Sequence, residues 1–311
     1  MFNPLTAAVV ADIVAEGLLP PGPSCVDLGN QTYGVDRRTL DGILARLRAA
    51  GTAARADEPA LEAVHAEAAA STRGPLVERF YKALGFRSYE AIDINSRYGS
   101  MVMDLNQDLD RRYGFTRQYE LVVNTGTSEH VFNQAAFLRN AHNLSAPGGL
   151  MLHIVPFTGY TNHGFYNYQP NIFFDLAAAN QYQLLRLAVA DRNGELIDLS
   201  RPSDLAAYFP FHLGLAAPND RGNTFLVALL KRVTAASFAF PCQGKYVATL
   251  EGAPRGEYGP RQAAANGRGP ALFVPERPAS QDPYARRARR RLKKALLGYL
   301  RRASRAVLLR L

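Results

Sequence analysis

Short apolar runs alternate with amphipathic stretches along most of the chain. Apolar runs bounded by Gly, Pro or polar residues predict seven strands, which are Ser24–Leu28, Tyr89–Ile94, Ser100–Leu105, Glu120–Asn124, Leu150–Val155, Tyr182–Ala190 and Thr224–Arg232. Helical spacing between them predicts helices over 4–18, 36–50, 57–71, 75–84, 129–143 and 172–180. Strands that alternate with helices are typical of a parallel sheet covered on both faces. The pattern predicts an α/β fold with a doubly wound, mostly parallel, seven-stranded sheet.

The same pattern divides the chain into four parts. We predict an N-terminal helix in 1–20 and a main domain over 21–235. A Gly- and Pro-rich extension with weak periodicity follows over 236–283, and a basic amphipathic segment over 284–311.

The positive charge of the chain is concentrated in that last segment. The formal net charge is +9, and residues 284–311 hold eleven Lys or Arg and no Asp or Glu, which leaves −2 for residues 1–283. A basic groove that binds nucleic acid has to lie on the folded domain itself. We therefore expect the domain to bind no nucleic acid.

Cysteine content and apolar run length favour a cytoplasmic location. Cys25 and Cys242 lie far apart in the sequence, which argues against a disulfide scaffold and a cysteine zinc site. No apolar run is long enough to span a bilayer, and the first residues include Asp12 and Glu16 with no basic leader. We expect neither a spanning helix nor a signal peptide.

Gly29 lies between the first predicted strand and a helix that begins at Asp36. A glycine at such a turn lets a ligand approach the backbone, and the free amides of the helix favour a carboxylate or phosphate. Gln31 stands where the dinucleotide fingerprint has its second glycine. The turn therefore disfavours NAD, and an ordinary tight turn remains the alternative role for Gly29.

Three acids follow adjacent predicted strands. Asp27, Asp93 and Asp104 close the first, second and third strand, and the carboxyl ends of parallel strands are where ligands bind in an open α/β sheet. Acids there can accept hydrogen bonds from ribose hydroxyls and from an adenine amine. The arrangement predicts an adenosine pocket, and turn capping by Asp93 and Asp104 is the alternative.

These motifs resemble those of the class I S-adenosylmethionine-dependent methyltransferases, a family with a Rossmann-like fold. The matching segments fall within residues 22–232 and are Val26-Asp27-Leu28-Gly29, Glu90-Ala91-Ile92-Asp93, Met103-Asp104-Leu105, Asn124 to Val131, and Ser145 to Leu150. Glu129-His130-Val131, followed by Pro147-Gly148-Gly149, is the most specific of them and is typical of the small-molecule type.

The resemblance implies S-adenosylmethionine as cofactor and assigns roles by position. Asp93 would hold the ribose, Asp104 the adenine, and Asn124 the floor of the site. Asp27, Gly29 and Asn30 would line the methionine end, and Gln31 is a further expected cofactor-binding residue. Two features depart from the family. Asn30-Gln31 replaces a small glycine-containing pair, and the long span from Asp27 to Asp93 implies an inserted helical element near 51–75.

Three histidines are candidates for catalysis, because methyl transfer to a hydroxyl requires proton removal and histidine titrates near neutral pH. His130 would lie at the start of a helix, His153 on the fifth strand, and His163 in an aromatic, amide-rich loop over 157–170. Each histidine taken alone also fits a structural role. We expect no metal site, because the sequence has no HxxxH spacing or carboxylate cluster.

The aromatic loop over 157–170 also suggests the kind of acceptor, because sugar rings stack well on aromatic surfaces.

The basic segment 284–311 carries apolar residues at helical spacing, with basic residues opposite. It is either a helix that attaches to an anionic membrane surface or a solvated tail, and RNA contact is a weaker third interpretation.

The sequence favours a cytoplasmic methyltransferase that modifies a small-molecule or glycan-like acceptor, with oxygen as the expected methyl acceptor and with contact at the inner membrane face through 284–311. The alternative is a catalytically silent, methyltransferase-like binding module, which the reduced glycine turn favours. An RNA methyltransferase would need a basic surface that residues 1–283 lack.

Overall fold

The computed structural model describes residues 1–51, 56–70, 75–190, 196–199 and 223–258. Within these ranges one eight-stranded sheet forms. Its strands are β1 (Ser24–Leu28), β2 (Ser88–Asp93), β3 (Met101–Val102), β4 (Tyr119–Thr125), β5 (Ser145–Thr158), β6 (Gln183–Ala190), β7 (Leu196–Asp198) and β8 (Thr224–Lys231).

Helices cover both faces of this sheet. They are α1 (Pro4–Ala15), α2 (Arg37–Ala49), α3 (Glu58–Ala70), α4 (Leu76–Ala83), α5 (Leu109–Tyr113), α6 (Gln134–Leu144) and α7 (Asn171–Asn180). One apolar core lies between the sheet and α1 to α4, and the other between the sheet and α5 to α7. The predicted α/β, doubly wound architecture is confirmed.

The strand order is β3-β2-β1-β4-β5-β8-β6-β7. The five strands from β3 to β5 are parallel, and β8 runs antiparallel to both β5 and β6. The chain moves outward from β1 to β3 and then returns to β4, which pairs with the other edge of β1. This reversal forms a crevice at the carboxyl ends of β1 and β4, where α/β proteins of this type bind ligands.

Local sequence sets where the first helices begin. The Asn3 side chain accepts a hydrogen bond from Thr6 N at 2.9 Å, and Asp36 accepts one from Thr39 N at 2.7 Å, so each caps a helix. The inserted stretch near 51–75 contains α3, whose Leu61 side chain is buried in the same core as α1, α2 and α4.

Three of the differences between predicted and observed elements have local causes. The predicted third strand, Ser100–Leu105, shortens to β3 because the Asp104 side chain accepts a hydrogen bond from Asn106 N at 2.9 Å and turns the chain. The predicted helix 129–143 is a 3₁₀ turn over Ser128–His130, extended backbone at Val131, and then α6. The predicted seven strands are eight, because β7 has three residues, too few to produce a periodic signal.

The chain beyond β8 packs on α6 and α7. Ala239 N donates to Asn180 Oδ1 at 2.7 Å, and Arg232 donates to the Ser145 carbonyl at 2.7 Å. The predicted boundary at 235 therefore falls within a packed segment. The basic segment 284–311 lies outside the described residues. In the described ranges, none of the helices has the length and apolar character needed to cross a bilayer.

Candidate functional site

The turn after β1 is held tightly to its neighbours. Gly29 N donates to the Ile92 carbonyl at 2.8 Å, and Gly29 has φ +113, where L side chains are rare. A Cβ at this position would overlap Thr127 Oγ1 and lie 2.9 Å from Thr127 Cγ2. The turn needs glycine because the segment after β4 packs against its backbone.

A hydrogen-bonded network joins the β1 turn to the end of β2. Asn30 N donates to Asp93 Oδ2 at 2.9 Å, and Asn95 Nδ2 donates to Asp93 Oδ1 at 2.6 Å. Asn30 Nδ2 donates in turn to Asn95 Oδ1 at 2.8 Å. The side chain of Asp93 is half-buried, and a carboxylate has about four acceptor positions, so it can accept a further bond from a ligand.

Asp104 lies just beyond β3, at the same edge of the sheet. Partial burial opposes its ionisation, but hydrogen bonds from the backbone and side chain of Asn106 hold the pKa of Asp104 below its ordinary value. Asp104 N donates to Tyr113 OH at 3.0 Å. A carboxyl with a lowered pKa thus lies at the same edge of the sheet as Asp93.

The side chains of Asp27 and Gln31 are buried, and each has an oxygen that accepts no hydrogen bond from the described residues. Asp27 is fully buried, and its Oδ1 has no hydrogen-bond partner among the described residues; the same holds for Gln31 Oε1. The first residues cover this turn, because Phe2 N donates to Thr32 O and Gly34 N donates to Phe2 O, each at 2.9 Å. Buried polar atoms without partners are rare, so these two side chains stand out at the turn after β1.

Burial raises the pKa of Asp27 to about 8. Near pH 4 and below, its carboxyl is protonated in the folded and the unfolded chain. Between about pH 4 and about pH 8 only the folded chain keeps this proton, so the free energy of unfolding falls as pH rises through that window. Above about pH 8 the folded chain holds a buried carboxylate.

Replacing Asp27 by asparagine should remove this pH dependence. We compare the free energy of unfolding of Asp27→Asn with that of the original chain at each pH. We expect this difference to favour the variant more at pH 9 than at pH 5, by about 2 kcal/mol or more. Denaturant unfolding at the two pH values measures the difference, with exposed Asp41→Asn on α2 as the matched control. An equal effect of Asp27→Asn at both pH values would show that Asp27 does not titrate in this range.

Asn124, at the end of β4, organises the buried side of the crevice. Its Oδ1 accepts from Ser128 N at 3.1 Å, and its Nδ2 donates to Ser128 Oγ at 2.9 Å and to His153 Nδ1 at 3.1 Å. Burial lowers the pKa of His153 to about 4, and its ring packs on Phe173. His153 is therefore neutral at physiological pH.

The other two histidines meet at Glu129. The His163 Nε2 to Glu129 Oε1 distance is 3.5 Å, the His130 Nε2 to Glu129 Oε1 distance is 3.9 Å, and the two imidazole centroids are 4.9 Å apart. Both imidazoles are about half exposed, whereas the Glu129 side chain is 1% exposed. Burial raises the pKa of Glu129 and lowers that of His130. The structure thus joins His130 to His163 and places His153 with Asn124.

An exposed aromatic pair flanks this cluster. Phe132 and Phe165 are 70% and 67% exposed, and their rings meet edge to face with centroids 5.8 Å apart. Tyr166 OH donates to the Phe132 carbonyl at 2.9 Å and connects the two segments. Large exposed aromatic side chains beside a polar cluster are typical of a binding surface.

Sequence reasoning missed two groups at this site. Glu129 entered only as part of a family motif, because its burial depends on the return of the loop that carries His163. Asn95 gave no signal beyond its position two residues after Asp93, which is the spacing of a side chain that caps its own turn.

A family model described as a methyltransferase domain matches residues 71–210. The match confirms the family resemblance that the motifs predicted. It begins after β1, so it excludes Asp27 and the Gly29 turn. A search of curated proteins finds no matching sequence.

Solved structures with a similar fold include TehB from Haemophilus influenzae, with 11% identity and a TM-score of 0.39 over 71% of this chain and 61% of that chain. An O-methyltransferase from a Brevibacillus brevis trans-AT PKS multienzyme, in complex with S-adenosyl-L-homocysteine, has 11% identity and a TM-score of 0.35 over 69% of this chain and 68% of that chain.

A third is the 1,6-didemethyltoxoflavin-N1-methyltransferase of Burkholderia thailandensis, bound to its named substrate and S-adenosylhomocysteine. It has 11% identity and a TM-score of 0.31, over 73% of this chain and 79% of that chain. This chain spans less than two thirds of the TehB chain.

Proposed function

We propose that this chain, in which residues 71–210 match a family model described as a methyltransferase domain, transfers the methyl group of S-adenosylmethionine to a small acceptor. The observation that supports this best is the meeting of three polar positions at one sheet edge: the Gly29–Asn30 turn, Asp93, and Asp104 beyond the next strand. Asn30 N and Asp93 Oδ2 join two of them at 2.9 Å.

The residues at this edge fit an adenosyl ligand. Asp93 would accept from the ribose hydroxyls and Asp104 from the adenine amine. The unsatisfied oxygens of Asp27 and Gln31 would face the methionine end, beside the backbone of Gly29 and Asn30, and Asn124 would form the floor. When bound, S-adenosylmethionine supplies an electrophilic methyl carbon, to which the acceptor atom bonds while the electron pair of the broken carbon–sulfur bond stays on sulfur.

The chain must also orient the acceptor and remove its proton. The proposal assigns this task to Glu129, His130 and His163, which converge on one point. The exposed rings of Phe132 and Phe165 would hold a flat or ring-shaped acceptor beside them. His153 would act as a positioning residue, because it accepts a hydrogen bond from Asn124.

Oxygen remains the proposed methyl acceptor, on a small or saccharide-like molecule. A hydroxyl needs a group that removes its proton, and the acceptor side offers a buried carboxylate with two imidazoles. Peripheral contact at the inner face of a membrane rests on the sequence of 284–311 alone.

A silent binding module is the second candidate, and the packing of Thr127 against Gly29 favours it. That packing, with the cover provided by Phe2, encloses the residues that would hold the methionine end. A silent module would bind an adenosyl ligand and transfer nothing.

We expect calorimetry to show binding of S-adenosylmethionine and S-adenosylhomocysteine and no binding of NAD. Replacing Asp93 by alanine should weaken adenosyl binding by about 1–3 kcal/mol, the contribution of hydrogen bonds to a charged group. Asp41→Ala, which removes an exposed carboxylate on α2, should leave the affinity unchanged. Tight NAD binding, or no adenosyl binding, contradicts the proposal, and an unaltered affinity in Asp93→Ala makes Asp93 a turn residue only.

A further inference from the structure

Three potential metal-binding side chains from two chain segments meet beside the crevice. One ligand atom each from Glu129, His130 and His163 lies within 4.8 Å of the other two. Glu129 and His130 belong to the 3₁₀ turn after β4, and His163 to the loop after β5.

Glu129 has no hydrogen-bond partner for its carboxylate. Its side chain is 1% exposed, and neither Oε1 nor Oε2 accepts a hydrogen bond within the described part of the chain. A buried carboxylate without partners is strongly destabilising. Its Oε1 faces the two imidazole nitrogens at 3.5 and 3.9 Å, too far for good hydrogen bonds, so one carboxylate oxygen and two imidazole nitrogens are directed at a common point.

The backbone fixes this arrangement. The Glu129 carbonyl accepts hydrogen bonds from Phe165 N at 2.7 Å and Tyr166 N at 3.3 Å, which tie the second segment to the first. A Cβ at Gly164 would lie 2.8 Å from the Glu129 carbonyl oxygen, so glycine permits this close approach. Asn162, with φ +60, turns the chain just before His163.

Two imidazoles and one carboxylate suit a divalent transition metal. Bonds of about 2.0–2.2 Å to such a metal separate its ligand atoms by roughly 3–3.5 Å, whereas the observed separations are 3.5 and 3.9 Å from Glu129 Oε1 and at most 4.8 Å within the set. Both imidazoles are half exposed, so small rotations can close the remaining gap. A set of two histidines and one carboxylate leaves coordination positions open.

We propose that Glu129, His130 and His163 bind a divalent transition-metal cation of the Zn²⁺ type, whose open positions accept an oxygen of the acceptor. The second part rests on the proposed function. With the cation bound, the three side chains serve as its ligands and no longer as the proton acceptor. An acceptor hydroxyl bound there would then lose its proton to bulk water, because a bound cation lowers the pKa of a coordinated oxygen. The acceptor class is then a molecule with a hydroxyl that can bind a metal. The sequence analysis expected no metal site; the proposal differs from that expectation because two of the three side chains are adjacent in the sequence and the third lies far along the chain, a spacing that HxxxH and carboxylate-cluster patterns do not contain.

The test uses the full chain, stripped with a chelator, and then titrated with Zn²⁺ in a calorimeter and with Co²⁺ by visible absorption. We expect one equivalent to bind, and Glu129→Gln, His130→Ala and His163→Ala each to weaken binding at least about tenfold. His65→Ala, on α3 and outside the cluster, should bind as the original chain does. Acetohydroxamate, a small oxygen chelator, should shift the Co²⁺ bands if positions are open.

If no metal binds, or if none of the three substitutions weakens metal binding, the proposed site is wrong. If acetohydroxamate leaves the Co²⁺ absorption bands unchanged, the bound metal has no open coordination positions. Circular dichroism and S-adenosylhomocysteine binding report folding of each variant. If Glu129→Gln does not fold, the metal affinities of His130→Ala and His163→Ala test the site, because both side chains are half exposed and their removal should not prevent folding. If the chain binds S-adenosylhomocysteine but no metal, this inference is wrong and the proposed function stands. If it binds metal but no adenosyl ligand, the metal site stands and the proposed function is wrong.

Discussion

Replacing His163 by alanine is expected to lower the rate of methyl transfer about 10²-fold or more while the affinity for S-adenosylhomocysteine stays nearly constant. His163 lies 3.5 Å from the buried Glu129 carboxylate, in the cluster to which the proposed function assigns the acceptor. The loop should keep its place, because the backbone of Phe165 and not the His163 side chain holds it to Glu129.

The rate per bound complex separates the roles that His163 could have. His65→Ala serves as the matched control, since it removes an imidazole from α3 without touching the cluster. A loss of adenosyl affinity with an unchanged rate per complex would place His163 in the cofactor pocket or the fold. His130 would then be the better candidate for the acceptor side.

Replacing Gly29 by alanine is expected to destabilise the fold by about 3 kcal/mol or more. Two effects combine: φ +113 is a strained conformation for any residue with a Cβ, and the new methyl group would overlap Thr127 Oγ1. Denaturant unfolding measures the loss.

Gly42→Ala in α2 is the matched control. It adds the same methyl group where nothing lies within 4 Å, so it should be neutral or stabilise the helix by up to about 1 kcal/mol. The double variant Gly29→Ala with Thr127→Ala should recover the part of the loss that comes from overlap and keep the part that comes from backbone strain. Equal stability of the Gly29→Ala and Gly42→Ala variants would refute this account of the turn.

The strands that carry the site could be predicted because their signals are local. β1 occupies the predicted range Ser24–Leu28 as an uninterrupted buried run, and the positions of Asp27 and Asp93 follow from it and from β2. A short, mostly apolar run that follows a Pro-Gly-Pro break can be recognised as a strand without tertiary information.

The shorter elements depended on side-chain contacts that periodicity does not contain. β3 ends early because Asp104 bonds to the backbone of Asn106. The predicted helix from Glu129 breaks at Val131, and Asn133 starts α6 by accepting a hydrogen bond from Ala136 N at 3.1 Å. Such local competition between side chain and backbone sets element boundaries.

The acceptor side could be predicted only in part. His130 and His163 were both candidates, but their convergence on Glu129 depends on the loop after β5 returning to the turn after β4. That return is made by backbone contacts between Phe165 and Glu129, which join residues far apart in the sequence. The burial of Glu129 follows from the same contacts.

Incubation of the purified full chain with S-adenosylmethionine carrying a labelled methyl group, together with a small-molecule cell extract, tests the central claim most directly. We predict labelled product in the small-molecule fraction and S-adenosylhomocysteine in equal amount, both strongly reduced with Asp93→Ala. Binding of S-adenosylmethionine without any labelled product would contradict enzymatic methyl transfer and favour the silent binding module.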